Sequence, residues 1–161
     1  MINTFFISDL HFGHYNIISY CRPEFNSLDE MHETIITRWN NTVGKKDKVM
    51  FLGDFSMSAK AVHEFAPQLN GVKHIVLGNH DQKDMEIYKY YFKNIFGCSS
   101  YKECILTHVP IHPMQFYRFK LNIHGHMHEK VIEDDRYFNV SCEQINYTPI
   151  EWEDIKQQRG I

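Results

Sequence analysis

Lys73-His74-Ile75-Val76-Leu77-Gly78-Asn79-His80-Asp81 sets a short apolar run directly against an amide, an imidazole and a carboxylate. Runs that are short, β-branched or aromatic and end in polar residues fit strands buried on both faces. The same texture recurs at Thr4–Ser8, Lys48–Leu52, Cys104–Thr107 and Leu121–Ile123. These runs lead into Asp9-Leu10-His11, Gly53-Asp54, Thr107-His108-Val109-Pro110 and Gly125-His126-Met127-His128. In open α/β sheets reactive residues gather just past the carboxyl ends of strands. The five segments therefore read as one shared site. Two carboxylates, one amide and several imidazoles are the ligand set for a pair of divalent metals, and mixed O/N donors suit Mn²⁺, Fe or Zn²⁺ better than Mg²⁺ or Ca²⁺. Asp9 and His11, like His126 and His128, are spaced so that extended backbone would turn both side chains to one side.

Helical patterns lie between the runs. Ser27-Leu28-Asp29-Glu30 reads as a capping box, opening a helix with Leu28, Met31, Ile35 and Trp39 on one stripe that ends near Gly44. A second helix is expected from about Ala59 to Leu69, stopping before Asn70-Gly71. A third is expected from about Lys83 to Phe96, with Gly97 as its stop. Beyond Ile123 the texture changes. Val131–Glu133 and Arg136–Val140 around Asp134-Asp135 suggest a β-hairpin, and Thr148-Pro149 a start for a short final helix. Alternating strand and helix followed by a hairpin gives an α/β architecture.

The chain has 161 residues, a normal size for one domain. With 23% charged and 14% aromatic residues the composition is globular rather than disordered. No apolar run approaches the roughly 18–20 residues that cross a bilayer. The stretch from Met1 to Asp9 lacks a basic region and a small-residue cleavage site, so it reads as a buried strand of a cytoplasmic protein. Cys21, Cys98, Cys104 and Cys142 are scattered with no Cys-x-x-Cys, which argues for reduced thiols and against a zinc ribbon. A formal charge of −3 and a pI near 6.4 give no overall field to attract a polyanion. Two bound divalent cations against two ligand carboxylates would favour a phosphate locally.

In order and residue type, the five blocks from Asp9 to His128 resemble the calcineurin-like metallophosphoesterase family. The run His11-Phe12-Gly13-His14-Tyr15-Asn16-Ile17-Ile18 with Cys21-Arg22-Pro23 looks like a subgroup of small predicted phosphoesterases within it. The resemblance implies one metallophosphoesterase domain over residues 1–161. Its architecture would be a four-layer sandwich of two facing mixed β-sheets flanked by helices. Two divalent transition-metal ions are implied (Mn²⁺, Fe²⁺/Fe³⁺, Zn²⁺ or Ni²⁺). Asp9, His11 and His128 would hold the first and Asn79, His108 and His126 the second. Asp54 would bridge them with one oxygen to each ion. Thr107 stands where most relatives carry Gly or Ser.

The implied reaction is hydrolysis of a phosphate ester by a metal-bridging hydroxide. His80 would be the general acid, with Asp81 orienting its ring. A short chain with no room for a capping insert favours a diester, including a nucleotide or nucleic-acid end. Phosphomonoesterase is the alternative. A non-catalytic interaction scaffold is a third reading, opposed by the filled ligand positions and His80. His14 and Arg22 are candidate substrate contacts, Arg22 as a bidentate phosphate clamp. Phe116–Lys120, between the His108 and His126 blocks, is a candidate substrate-contacting loop. Tyr88–Lys93 has aromatic and basic residues suited to single-stranded bases, but its helical spacing favours a buried stripe.

Overall fold

The structure, a computed structural model, describes residues 1–81 and 85–161. Strands β1 (Thr4–Ile7), β2 (Lys48–Phe51), β3 (Val72–Val76) and β4 (Asn94–Phe96) run parallel in the order β4-β3-β2-β1. A second sheet holds β5 (Ser99–Tyr101), β6 (Cys104–Leu106), β7 (Leu121–His124) and β8 (Tyr137–Asn139) in sequential order. In it β6, β7 and β8 are parallel and β5 is antiparallel at the edge. β9 (Ile150–Glu151) then returns to the first sheet, antiparallel beside β1.

The apolar runs are explained by what lies on their two sides. Successive side chains of a strand point to opposite faces. Phe5, Ile7, Val49, Phe51 and Ile75 face a helical layer, where they pack with Met31, Ile35, Trp39, Val62 and Tyr88. Phe6, Met50, Leu52 and Val76 face the second sheet, and pack against Leu106, Ile123, Phe138 and Val140. Both faces of the first sheet are therefore dry. The helical layer holds α1 (Ile17–Cys21), α2 (Leu28–Thr42), α3 (Ala59–Phe65) and α4 (Glu86–Lys89), while α5 (Trp152–Arg159) inserts Trp152 and Ile155 between the sheets. Two mixed sheets flanked by helices are the architecture that the family resemblance implied.

The capping reading of α2 holds. Ser27 accepts the Glu30 amide at 3.1 Å, and Met31, Ile35 and Trp39 are buried on the expected stripe. The Glu30 carboxylate reaches back one residue further than a capping box requires, to the Asn26 amide at 2.8 Å. Losing the Ser27 cap is worth about 1 kcal/mol. The helix near Ala59–Leu69 is α3 followed by a 3₁₀ turn, Ala66–Gln68. All four cysteines are free, and among the described residues no helix is long and apolar enough to cross a membrane.

Three expectations give way. The long third helix is only α4, one turn; its expected start at Lys83 lies outside the described residues. Tyr88 and Phe92 are buried as the periodicity asked, but residues 94–96 leave the helix to pair with β3 in the register Ile75↔Ile95. Val131–Glu133 forms no strand, and β8 pairs in parallel with β7 instead of folding back in a hairpin. The final helix starts at Trp152 and not at Thr148-Pro149, because Ile150–Glu151 is first used to extend the sheet.

Candidate metal centre

β1, β2, β3, β6 and β7 all end on one side of the molecule, and each leads within two or three residues to a metal-ligand candidate. The two sheets are joined there by a parallel bridge between Ser8 and Ser141, with Ser8 N–H donating to the Val140 carbonyl at 2.9 Å. Backbone conformation then differs from the extended segments expected. Asp9 (φ 60°), His11 (φ 52°), Asp54 (φ 60°), His126 (φ 69°) and His128 (φ 49°) are all left-handed. Such conformations cost a residue with a Cβ about 1 kcal/mol or more, and cluster at functional sites. Left-handed turns, not the two-residue alternation of a strand, bring these side chains together.

Gly53 and Gly125 make the approach possible. At Gly53 (φ +93°) an added Cβ would lie 2.6 Å from His108 Nδ1 and 2.7 Å from the Gly78 amide nitrogen. At Gly125 it would lie 1.9 Å from Ser8 Oγ and 2.5 Å from Asp9 Oδ2.

Among the described residues three groups of donors result, Asp9–His11–His128, Asp54–His108–His126 and, sharing His128 with the first, Cys21–His128–Glu143, with the ligand atoms within 4.8 Å of one another in each. The first two carry the family's ligand candidates. In the first, His11 Nε2 and His128 Nε2 lie 3.7 and 3.9 Å from Asp9 Oδ1. The other oxygen of Asp9 accepts from the His126 amide and the Ser141 hydroxyl, both at 2.9 Å. In the second, His108 Nε2 is 3.2 Å from Asp54 Oδ2 and 3.0 Å from Asn79 Oδ1. His11 Nε2 lies 3.7 Å from that same Asp54 Oδ2. One oxygen of Asp54 therefore faces both groups. The other accepts the His80 amide at 2.8 Å.

A divalent cation fits these donors on structural grounds. Asp9 Oδ1 and both ring nitrogens of His11 are buried and have no hydrogen-bond partner among the described residues. Buried polar groups are normally paired, so donors left over in this way are what a metal would take up. The electrostatics agree. Burial opposes ionisation of Asp9, yet the imidazoles of His11, His108 and His128 hold its carboxyl well below the usual range. Burial likewise opposes charge on Asp54, which His108 keeps low. Burial works against a charged His128, but its bonds to Cys21 and Glu143 and the charge on Asp9 push it up to about 10. The site carries surplus negative charge around its imidazoles.

His80 and Asn79 are exposed, and the His80 ring lies 5.7 Å from that of His11. His14 is half-buried beside them, 5.5 Å from the His11 ring. Asp81 does not orient His80. Its Oδ1 accepts from the Phe55 amide (2.9 Å) and the Tyr88 hydroxyl (3.0 Å). Its Oδ2 accepts from the amides of Asp54 (2.9 Å) and Gly78 (2.7 Å), so the carboxylate fastens the loops that carry Asp54 and Asn79.

Arg22 is likewise no phosphate clamp. Its side chain is fully buried, with Nε donating to Glu143 Oε1 at 2.8 Å, Nη1 to the Leu10 carbonyl at 3.0 Å and Nη2 to the Asp9 carbonyl. Removing one partner of a buried pair like this typically costs about 3–5 kcal/mol. Phe116 packs edge-on to Tyr137 at 5.0 Å with the Arg136 guanidinium over it, on the outer face of the second sheet. Sequence reasoning missed Ser141 and Glu143. They follow β8 as the ligands follow the other strands, and that repeated placement was the available signal.

The sequence profile of the calcineurin-like phosphoesterase family matches residues 2–154, and the chain belongs to this family. An uncharacterized protein of Methanocaldococcus jannaschii is 36% identical over 163 aligned residues, covering 93% of this chain and 87% of that one. The gene 66 protein of Mycobacterium phage L5 is 36% identical over 85 residues, half of this chain and 41% of the phage protein. The crystal structure of a protein of unknown function from Aquifex aeolicus superimposes with a TM-score of 0.80 at 28% identity, over 98% of this chain and all of that one. The family makes this chain a metal-dependent phosphoesterase acting on a phosphate ester.

Proposed function

We propose that the chain is a two-metal phosphodiesterase, with the first ion held by Asp9, His11, His128 and Asp54 and the second by Asp54, Asn79, His108 and His126. The observation that carries this is Asp54 Oδ2, which faces His11 Nε2 and His108 Nε2 from between the two groups. When bound, the ions supply Lewis-acid charge and an activated water for attack on phosphorus. Asn79 offers its amide oxygen and, being exposed, borders the path of the substrate. His80 protonates the departing alkoxide from its ring, and is free to do so because its backbone, not its side chain, holds Asp54. His14 contacts the phosphate from beside His11. The exposed His80 and Asn79 support a diester, a nucleotide or nucleic-acid end included, over a monoester. Mn²⁺ is the ion to supply first, and four free thiols support a reducing, cytoplasmic setting.

The test is hydrolysis of bis-p-nitrophenyl phosphate and p-nitrophenyl phosphate with Mn²⁺, then with chelator, alongside Asp54→Ala. Metal-dependent cleavage favouring the diester and lost in Asp54→Ala is expected. Preference for the monoester would replace phosphodiesterase by phosphatase. Mn²⁺ bound with no cleavage of either would overturn the catalytic reading.

A further inference from the structure

Behind the first donor group lies an ion pair that the proposed chemistry does not use. Glu143 Oε1 sits 3.0 Å from His128 Nδ1 and 2.8 Å from Arg22 Nε. An imidazole that binds a metal through Nε2 carries its proton on Nδ1, so His128 donates to Glu143. From the other end of the pair, Arg22 donates to the backbone carbonyls of Asp9 and Leu10. Arg22 and Glu143 thus link the main chain of one ligand, Asp9, to the ring of another, His128, across 119 residues of sequence (128 − 9). Arg22 is fully buried and Glu143 nearly so, and Met31 Sδ closes the guanidinium from below at 3.3 Å. Cys21 Sγ, 3.4 Å from Glu143 Oε1 and 3.7 Å from His128 Nδ1, fills the remaining side.

In the second group, among the described residues, Asp81 holds the loops of Asp54 and Asn79 by their amides, and no carboxylate stands behind the His108 ring. That ring meets the Leu52 carbonyl through Nδ1 at 2.7 Å, a neutral acceptor. A carboxylate behind a ligating imidazole fixes its tautomer and raises its basicity, and removing such a partner typically weakens metal binding 10–100-fold. We propose that Arg22 and Glu143 are positioning residues for the first donor group, holding Asp9 and His128 in register and making that group the tighter of the two. This rests on the two-metal reading above.

Mn²⁺ is titrated into the full-length, chelator-treated protein by calorimetry, with stoichiometry from native mass spectrometry. The variants are Glu143→Gln, Glu143→Asp and His126→Asn. Wild type is expected to take two ions of unequal affinity, and His126→Asn to lose the weaker. Glu143→Gln is expected to weaken the tighter ion about 10–100-fold and leave the other unchanged. His126→Asn combined with Glu143→Gln should show the same drop on its single remaining ion. Glu143→Asp keeps the charge but is too short to reach both His128 and Arg22, so it should fall in between. It carries the test if the Gln variant does not fold. Equal weakening of both ions, loss of the tight ion in His126→Asn, or wild-type affinities in a folded Glu143 variant would overturn the proposal alone. A wild type that takes up no Mn²⁺ would overturn the two-metal reading and this one with it.

Discussion

The amide of Asp54 donates to Asp81 Oδ2 at 2.9 Å, so the residue that faces both donor groups is held by a carboxylate 27 positions further on. Among the described residues each Asp81 oxygen accepts two hydrogen bonds, and an Asn there would turn an NH₂ toward two of those donors. Asp81→Asn should lose roughly 1–3 kcal/mol for each buried donor left unpaired. Tyr88→Phe, which removes one of the four bonds, should lose about 1 kcal/mol. Denaturant melts of both variants check the order, and a Tyr88→Phe as damaging as Asp81→Asn would contradict the clamp.

Gly125→Ala tests how tightly the ligand loops are packed. The new methyl would meet Ser8 Oγ and Asp9 Oδ2 well inside contact distance. Overpacking of this kind costs about 1–3 kcal/mol. Displacing Asp9 should also weaken Mn²⁺ uptake, so calorimetry on the folded variant should show a loss alongside the lowered melting temperature.

Substituting His80 by Asn should separate turnover from metal content. The backbone bond to Asp54 survives the change. On an alkyl ester, whose alkoxide needs a proton, kcat should fall about 10²–10⁴-fold. On a p-nitrophenyl ester the loss should be much smaller, with two ions still bound. Equal losses on both esters would remove His80 from the general-acid role.

A pH dependence of stability should come from His32, which is not itself one of the metal-ligand candidates. Its Nε2 accepts the Gly13 amide at 3.1 Å, and it packs against Phe12 and Phe65. Burial, reinforced by the charge of Arg22, lowers its pKa against the opposing pull of Asp29 and Glu64. The unfolded chain then binds a proton more readily than the folded one. The stabilisation is complete above the unfolded value of about 6.5 and is lost as pH falls through the folded value. Melting temperature should therefore drop on acidification below that point, and drop less steeply in His32→Gln. Parallel slopes for the two proteins would rule His32 out as the source.

How much of this was legible in the sequence depended on the range of the forces involved. The ligand candidates could be read because each chemical residue type directly follows a strand, a local pattern. The left-handed turns at Asp9, His11, His126 and His128 could not, since nothing in an Asp-Leu-His spacing distinguishes them from extended chain. Asp81 and Arg22 were given the right neighbourhood and the wrong partners. Asp81 is adjacent in sequence to His80 but is engaged by amides 26 and 27 residues away. Arg22 meets its counter-charge 121 residues later. The helix expected through residue 96 failed for a related reason. Its periodicity is real at Tyr88 and Phe92, but pairing with β3 outweighs local preference at residues 94–96.

The placement of Asp9, His11, Asp54 and Asn79 after strands of the first sheet, and of His108, His126 and His128 after strands of the second, has a consequence for how the protein is made. Neither half of the polypeptide holds a complete ligand set. On the proposed ligand sets, the second ion could not be fully enclosed until His126 has emerged, nor the first until His128 has, and both need the two halves to meet across Ser8 and Ser141. Metal capture would then be a late step that rewards the closed molecule over its open precursors. Because ligand that binds only the native state adds stability with its concentration, the cell's supply of divalent ion would add to the stability of the finished chain.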